Sequence, residues 1–201
     1  MNKTYRVELR RTYLIENLPE PLTRASRHQQ FFDNFIENTR LCLRSIREPH
    51  TKEWAWILEQ REPLESGDFS VWKIAEIFLN EVEHQAFEQF EGRQISRNER
   101  AETNELRFNR YLHESHGAQY EIDVFLNPLW GLILASVRFE TETEMRDFKK
   151  PDFARAEVTQ NEFFIYKNLI GKNFADVQAE YAKLRIKKES ETDFSLSLSQ
   201  D

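Results

Sequence analysis

The chain has 201 residues, of which 39% are hydrophobic and 13% aromatic, so it can bury a core and is not globally disordered. Its 28 Lys and Arg against 35 Asp and Glu give a formal net charge of −7, which disfavours duplex nucleic acid as a partner because such binding surfaces are normally basic. No apolar run reaches the ~18 residues of a membrane-spanning helix, and a single cysteine, Cys42, excludes an internal disulfide and multi-thiolate zinc sites. Without a signal segment after Met1, we expect a cytoplasmic protein that has no membrane partner.

Alternating polar and apolar residues predict β-strands through most of the first two thirds of the chain. The first strand is predicted over residues 5–15. Further strands are predicted over residues 35–46, 53–59, 71–79, 106–112, 119–125 and 131–139. The turn between residues 112 and 119 contains His116-Gly117, which is typical of a hairpin. Some seven or eight antiparallel strands in a chain of this length predict a closed barrel or a sandwich.

A first helix is predicted after residue 80. Asn80 and Glu83 have the spacing of a capping box, and Gly92 stands where the helix would end. The apolar residues of this segment fall at helical spacing and predict a core-facing side, formed by Val82, Ala86, Phe87 and Phe90.

A second helix is predicted over residues 173–186. Asn173 can cap it, with Asp176 at the third position. Its apolar stripe consists of Phe174, Val177, Tyr181 and Leu184. Residues 189–201 are acidic and serine-rich and are expected to form a flexible tail. With no repeat and no linker in sight, one domain over residues 1–188 is the simpler interpretation.

Polar side chains share one face on several predicted strands. Glu8, Arg10 and Thr12 alternate with apolar residues on the first strand. The same spacing recurs in Arg40 with Arg44, Glu121 with Asp123, and Ser136 with Arg138. Such a face can point to solvent, which is the commoner case. It can also line the inside of a barrel, and eight or so strands enclose room for one small ligand.

Several short segments follow one another in an order that resembles a known family. Residues 8–15 stand where that family has Glu-x-Glu-x-Lys before aromatic and aliphatic residues. Residues 38–43 resemble its Arg-x-Arg strand, Arg110-Tyr111 the end of its Lys-x-Arg-Tyr strand, and residues 120–125 its Glu-x-Asp-x-Phe strand. Gly131-Leu132 with Ala135, Pro151, residues 157–159 and residues 166–168 match its later signatures. The chain thus resembles the CYTH domain family, or triphosphate tunnel metalloenzymes, to about residue 170.

The resemblance implies an antiparallel β-barrel that forms a tunnel. Family activities include adenylate cyclase of the fourth class, thiamine triphosphatase, inorganic triphosphatase and RNA triphosphatase. In all of them the triphosphate is held by Lys and Arg of the tunnel wall, and Mg²⁺ or Mn²⁺ is held by glutamates. Hard divalent cations prefer carboxylate oxygens and polarise the phosphoryl group under attack.

This chain departs from the family pattern at the positions that are expected to bind the metal ion and the phosphate. Arg10, Ser136 and Arg138 stand where three metal-binding glutamates are expected, and Thr12 stands in place of a lysine. Three missing carboxylates remove most of the metal cage. An arginine at ~4 Å would also repel a cation by several kcal/mol at an intermediate dielectric constant. A guanidinium can instead hold a phosphate bidentately.

Three basic positions of the family also differ. Cys42 replaces the second arginine of Arg-x-Arg, although Arg44 continues that face. A lysine expected at the end of the 53–59 strand corresponds to Glu59 or Gln60, and a lysine before Arg110 corresponds to Phe108. The positions that survive are Glu8, Arg40, Arg110, Glu121 and Asp123.

The sequence therefore predicts a mainly β (α+β) fold, a closed antiparallel barrel of about eight strands over residues 1–170 with flanking helices and a C-terminal helix. We expect a pseudoenzyme without catalytic residues, metal or cofactor, which binds a nucleotide or polyphosphate as a sensor or regulator. The predicted phosphate-binding residues are Arg10, Arg40, Arg44, Arg110 and Arg138. The predicted polar tunnel residues that orient them are Glu8, Thr12, Glu121, Asp123 and Ser136.

Two alternatives remain open. In the first, the chain is an active triphosphatase or cyclase-like enzyme in which Glu8 and Asp123 bind Mg²⁺ or Mn²⁺. In the second, Arg10 and Arg138 only pair with Glu8, Glu121 or Asp123, and the barrel is a structural scaffold that binds a protein partner.

Overall fold

The structure, a computed structural model, describes residues 4–91 and 104–184, and nine β-strands form its framework. The strands are β1 (Arg6–Ile15), β2 (Gln29–Phe35), β3 (Leu41–Arg47), β4 (Trp54–Pro63), β5 (Val71–Leu79), β6 (Glu105–Ser115), β7 (Ala118–Phe125), β8 (Ile133–Phe139) and β9 (Ala154–Glu157). All pairings are antiparallel, and the order β1-β5-β4-β3-β2-β6-β7-β8 returns to β1. β9 adds to the last residues of β1. The predicted closed barrel is confirmed.

The strand predicted over residues 35–46 is wrong, because this segment holds a turn. β2 ends at Phe35, β3 begins at Leu41, and the two strands pair in register. In the turn, the Thr39 hydroxyl donates to the Ile36 carbonyl at 2.8 Å and Asn38 has φ 59°. Asparagine tolerates this left-handed conformation, so the turn needs neither glycine nor proline and leaves little mark in the sequence.

The first helix is shorter than predicted and faces differently. α1 spans Glu81–Gln85, and the predicted capping box of Asn80 and Glu83 is present. The predicted core-facing side is wrong: Val82 is 76% exposed, and the buried residue is His84, which stacks on Trp56. A single helical turn cannot extend a stripe to Phe90, which lies in the 3-10 turn Glu88–Phe90 that follows. Gly92 lies outside the described residues.

Two further helices follow the barrel strands. α2 (Glu142–Asp147) was not predicted and is capped by Thr141. α3 covers residues 174–184 and begins as predicted, with the Asn173 side chain accepting from the Ala175 amide at 2.8 Å. Its predicted stripe packs against the buried core. The end of the predicted helix and the predicted tail at 189–201 lie outside the described residues.

The barrel wall separates two apolar clusters. One lies inside the barrel, where Phe31, Phe108 and Phe125 are register partners on β2, β6 and β7. The segment after β9 and α3 pack onto this cluster through Val158, Phe164 and Val177 and thereby close one end of the barrel. The other cluster covers the outer face around Tyr13 and Ile122. Within the described ranges, no helix is long and apolar enough to cross a membrane.

Candidate functional site

The polar face of β1 points into the barrel. Glu8 and Arg10 are 4% and 7% exposed, and Arg10 is the register partner of Arg138 on β8. Thr12 lies opposite Ser136, and the two hydroxyl oxygens are 3.3 Å apart. The polar side chains of β1, which could also have faced solvent, therefore line the lumen. The opposite side of β1 packs in the outer cluster.

Arg44 of β3 is held by two carboxylates. Its Nε and Nη2 donate to Asp33 of β2 at 2.7 and 2.6 Å, and its Nη1 donates to Glu59 of β4 at 3.0 Å. The guanidinium lies 5.5 Å from the centroid of the Phe31 ring. Such a bidentate arginine–carboxylate pair is a strong form of ion pair and fixes the orientation of the guanidinium plane.

Arg110 of β6 repeats this arrangement on the other side of Phe31. Its Nε and Nη2 donate to Asp123 of β7 at 2.7 and 2.6 Å, its Nη1 lies 3.2 Å from Glu121, and its guanidinium lies 4.6 Å from the Phe31 ring centroid. Tyr166 also donates to Asp123. Burial, and next the charge of Asp123, raise the pKa of Tyr166, which keeps its hydroxyl a donor.

Arg10 is paired far more loosely. Its Nη1 is 3.5 Å from Glu8 and its Nη2 is 3.7 Å from Glu121, both beyond normal hydrogen-bond distance. Its Nη2 is buried without a hydrogen-bond partner, and so is the Nε of Arg61, which lies 3.4 Å from Glu59 without hydrogen-bond geometry. The carboxylate oxygens that face Arg10, Glu8 Oε1 and Glu121 Oε2, are buried without hydrogen-bond partners as well. Buried polar atoms are nearly always satisfied, so the loose pairing of this part of the lumen needs an explanation.

The arginines keep the lumen carboxylates ionised. Burial alone would raise the pKa of Glu8, but the charges of Arg61, Arg10 and Arg138 outweigh it and lower the pKa to about 2. The pKa values of Glu59 and Glu121 are also lowered to about 2, since arginine charges again outweigh burial.

A cavity of about 470 Å³ lies at this polar layer. It is bounded by the first half of β3, the last residues of β4, the loop before β5 and the segment at residues 158–168. Its cationic lining residues are Arg10, Arg40, Arg44, Arg61, Arg110 and Lys167. Phe69 and Trp72 form an aromatic part of its wall.

The structure brings four of the five predicted phosphate-binding arginines to this cavity. Arg10, Arg44 and Arg110 are buried or nearly so, whereas Arg40 is 61% exposed at the mouth and pairs with Glu62. Arg138 does not line the cavity; it is 46% exposed and contacts Glu8 at 3.3 Å and Glu121. Among the predicted polar residues, Thr12 lines the cavity, while the buried Glu8, Asp123 and Ser136 and the partly buried Glu121 lie in the lumen beside it.

Sequence reasoning missed Arg61 and Asp33. Arg61 lies on the same face of β4 as Glu59, because the strand continues to Pro63. The two-residue spacing was the available signal. Asp33 lies on β2, which was not predicted.

The donor set does not fit a divalent cation. The two oxygens of Glu8 lie within 3.6 Å of guanidinium nitrogens of Arg6, Arg10, Arg61 and Arg138, so a metal ion there would meet four positive charges. Over residues 4–91 and 104–184, no group of three or more His, Cys, Asp or Glu is placed to hold a metal ion.

Solved structures share this architecture. Two crystal structures of one protein, NE1496, match with a TM-score of 0.52 and 20% identity. One is described as a hypothetical protein and covers 83% of this chain and 99% of its own; the other is described as an inorganic triphosphatase and covers 82% and 95%. No protein-family model matches the chain, and no curated protein matches it significantly. The chain therefore has the closed tunnel fold that its resemblance to the CYTH proteins implied.

Proposed function

We propose that the protein binds a phosphorylated small molecule in the arginine-lined cavity without a metal ion and acts as a sensor or regulator. The observation that carries this proposal is Arg10, a buried guanidinium that lines the cavity and is only loosely paired, at 3.5 Å from Glu8 and 3.7 Å from Glu121. A guanidinium binds phosphate oxygens, like carboxylate oxygens, through strong charge-assisted hydrogen bonds that are often bidentate. The name of NE1496, an inorganic triphosphatase of the same fold, supports a phosphorylated ligand.

The same residues argue against catalysis. Phosphoryl transfer in metal-dependent enzymes needs a cation that bridges the phosphate oxygens and neutralises their charge. Here the lumen carboxylates are already neutralised by arginines, and their low pKa values make them poor proton donors or acceptors near pH 7. The protein is then a pseudoenzyme that binds the ligand and leaves it intact.

A second candidate function is favoured by the saturation of Arg44 and Arg110. Both guanidinium groups are fully engaged by carboxylates, as in a barrel filled for structural reasons alone. In that case the barrel would be a scaffold, and a protein partner would bind its outer surface. Buried ion pairs stabilise little compared with apolar packing, however, so a scaffold alone gives no reason to keep them.

Calorimetric titration in EDTA tests the first function. We expect ATP or tripolyphosphate to bind the wild type with an affinity that falls as salt rises. Arg10→Met keeps the side-chain stem and removes the charge, and we expect it to weaken binding at least tenfold. Arg107→Met is the matched control, since Arg107 is exposed on β6 and pairs with Glu105. Absence of binding for every phosphate compound would contradict the proposal and favour the scaffold.

Phosphate release with Mg²⁺ or Mn²⁺ present tests the enzyme alternative on the same sample. We expect no turnover of ATP, tripolyphosphate or thiamine triphosphate. A turnover that EDTA and Glu8→Gln both abolish would establish a metal-dependent triphosphatase instead.

A further inference from the structure

We infer that the cavity is built for a ligand with a single phosphoryl group attached to an aromatic moiety, and not for a triphosphate. This inference rests on the proposed function and narrows its ligand class. Three features of the site lead to it: the charge balance of the lumen, the loose pairing of two arginines, and the aromatic part of the cavity wall.

The lumen has no surplus of positive charge. In the part of the chain that the structure describes, ion-pair contacts connect six arginines and six carboxylates into one network. The arginines are Arg6, Arg10, Arg44, Arg61, Arg110 and Arg138. The carboxylates are Glu8, Asp33, Glu59, Glu76, Glu121 and Asp123. At the mouth, Arg40 pairs with Glu62, and the cavity is also lined by one further cation, Lys167, and one further carboxylate, Glu162. A triphosphate would bring several negative charges into this neutral network, whereas a phosphomonoester brings about −1.5 to −2.

Two loosely paired arginines match one phosphoryl group. Arg10 Nη2 and Arg61 Nε are buried without hydrogen-bond partners, and both side chains line the cavity. The two guanidinium groups are neighbours, since Arg10 Nη1 and Arg61 Nη1 lie 3.5 and 3.6 Å from the same oxygen, Glu8 Oε1. Two neighbouring guanidinium groups that line one cavity and are only loosely paired can serve the oxygens of one phosphoryl group. Arg44 and Arg110, by contrast, would have to give up carboxylate partners to bind a second or third group.

Two aromatic residues of the cavity wall, Phe69 and Trp72, lie close to Arg61. The Arg61 guanidinium lies 5.9 Å from the Trp72 ring centroid, and the rings of Phe69 and Trp72 are 6.1 Å apart. The loop that carries Phe69 is held in place, because Trp72 Nε1 donates to the Phe69 carbonyl at 2.7 Å and the Phe69 amide donates to Gln160 at 3.0 Å. At about 470 Å³, the cavity lies within the roughly 300–1,000 Å³ typical of sites for organic ligands and far exceeds what one phosphoryl group needs.

The test compares phenyl phosphate, methyl phosphate and tripolyphosphate by calorimetric titration in EDTA, with the full chain. We expect phenyl phosphate to bind at least tenfold more tightly than either of the other two. Phe69→Leu keeps an apolar side chain but removes the ring, and we expect it to weaken phenyl phosphate about tenfold. Phe32→Leu is the matched control: Phe32 lies against Trp54 on the outer side of β2 and should not affect binding.

The outcomes separate this inference from the proposed function. Tighter binding of tripolyphosphate than of phenyl phosphate, lost in Arg10→Met, would overturn the inference and leave the proposed function standing. Unchanged binding of phenyl phosphate in Phe69→Leu, with a circular dichroism spectrum like that of the wild type, would overturn the aromatic part. If none of the three compounds binds the wild type, both proposals fail.

Discussion

The lumen arginines differ in what each one has available for a ligand. Arg44 and Arg110 form bidentate pairs with aspartates on either side of Phe31, so their donors are already used within the barrel. Arg10, which is buried, and Arg61, which is partly buried, lie in the same layer and are paired more loosely. Residue type alone cannot separate these two roles, because both depend on which carboxylate the barrel places opposite each arginine. The distinction is therefore one of geometry.

Removing one partner of a bidentate pair should lower the free energy of unfolding. In Asp33→Asn the fully buried carboxylate that holds Arg44 loses its charge. Breaking a buried pair in this way costs about 3–5 kcal/mol of unfolding free energy. Asp147→Asn makes the same chemical change in an exposed pair with Arg146 and should cost less than about 1 kcal/mol. Urea denaturation at pH 7 measures both. Equal, small losses would show that Glu59 alone suffices to hold Arg44.

The strands differ in how well the sequence predicts them. β5 has the predicted bounds, and β1 nearly so, because β5 is a largely apolar and aromatic run and β1 alternates polar and apolar residues over most of its length. β2 was not predicted, since only its last residue, Phe35, falls within the strand predicted over residues 35–46, whose turn at Asn38 has no glycine or proline. Asp33 was missed for this reason. β4 was cut short at Glu59, and Arg61 was lost with its last residues. The sequence could thus predict the barrel and most of its arginines, but not their partners, which come from strands distant in sequence.

The close packing of α3 on the β7–β8 connection gives a prediction for these elements. At Gly131, which has φ +104°, an added Cβ would lie 2.6 Å from Phe174 Cε2. Gly131→Ala must therefore displace the first residue of α3 and accept backbone strain, with an expected loss of about 1–3 kcal/mol. Gly67→Ala is the matched control, since Gly67 has φ +88° but nothing within 4 Å of a Cβ. Thermal unfolding of both variants measures the difference, and equal shifts would mean that α3 yields without cost.

At the scale of the whole molecule, the barrel divides its interior between two kinds of packing. The apolar half is sealed by the segment after β9 and by α3, while the polar half keeps its charges paired and a cavity open. Burial of these charges is tolerable only while each carboxylate is ionised beside its arginines. The stability of the barrel should consequently depend on pH through the lumen carboxylates.

Glu8, Glu59 and Glu121 have folded-state pKa values of about 2, below their ordinary value of 4.5. A lowered pKa contributes stability that is fully present above pH 4.5 and is lost as the pH falls towards 2. We expect the free energy of unfolding to be nearly constant from pH 7 to about pH 5.5. By pH 3 each group should have lost about 2 kcal/mol, with a smaller total than three independent groups would give because they share arginines.

Urea denaturation at pH 7, 5 and 3 measures this dependence, and salt distinguishes its source. Exposed carboxylates are screened at about 0.5 M salt, where the Debye length is only a few ångströms, whereas buried pairs are screened much less. The loss of stability between pH 5 and pH 3 should therefore persist in high salt. A loss that disappears in high salt would place the acid-sensitive groups on the surface, and equal stability at pH 5 and pH 3 would show that the lumen pairs do not stabilise the barrel.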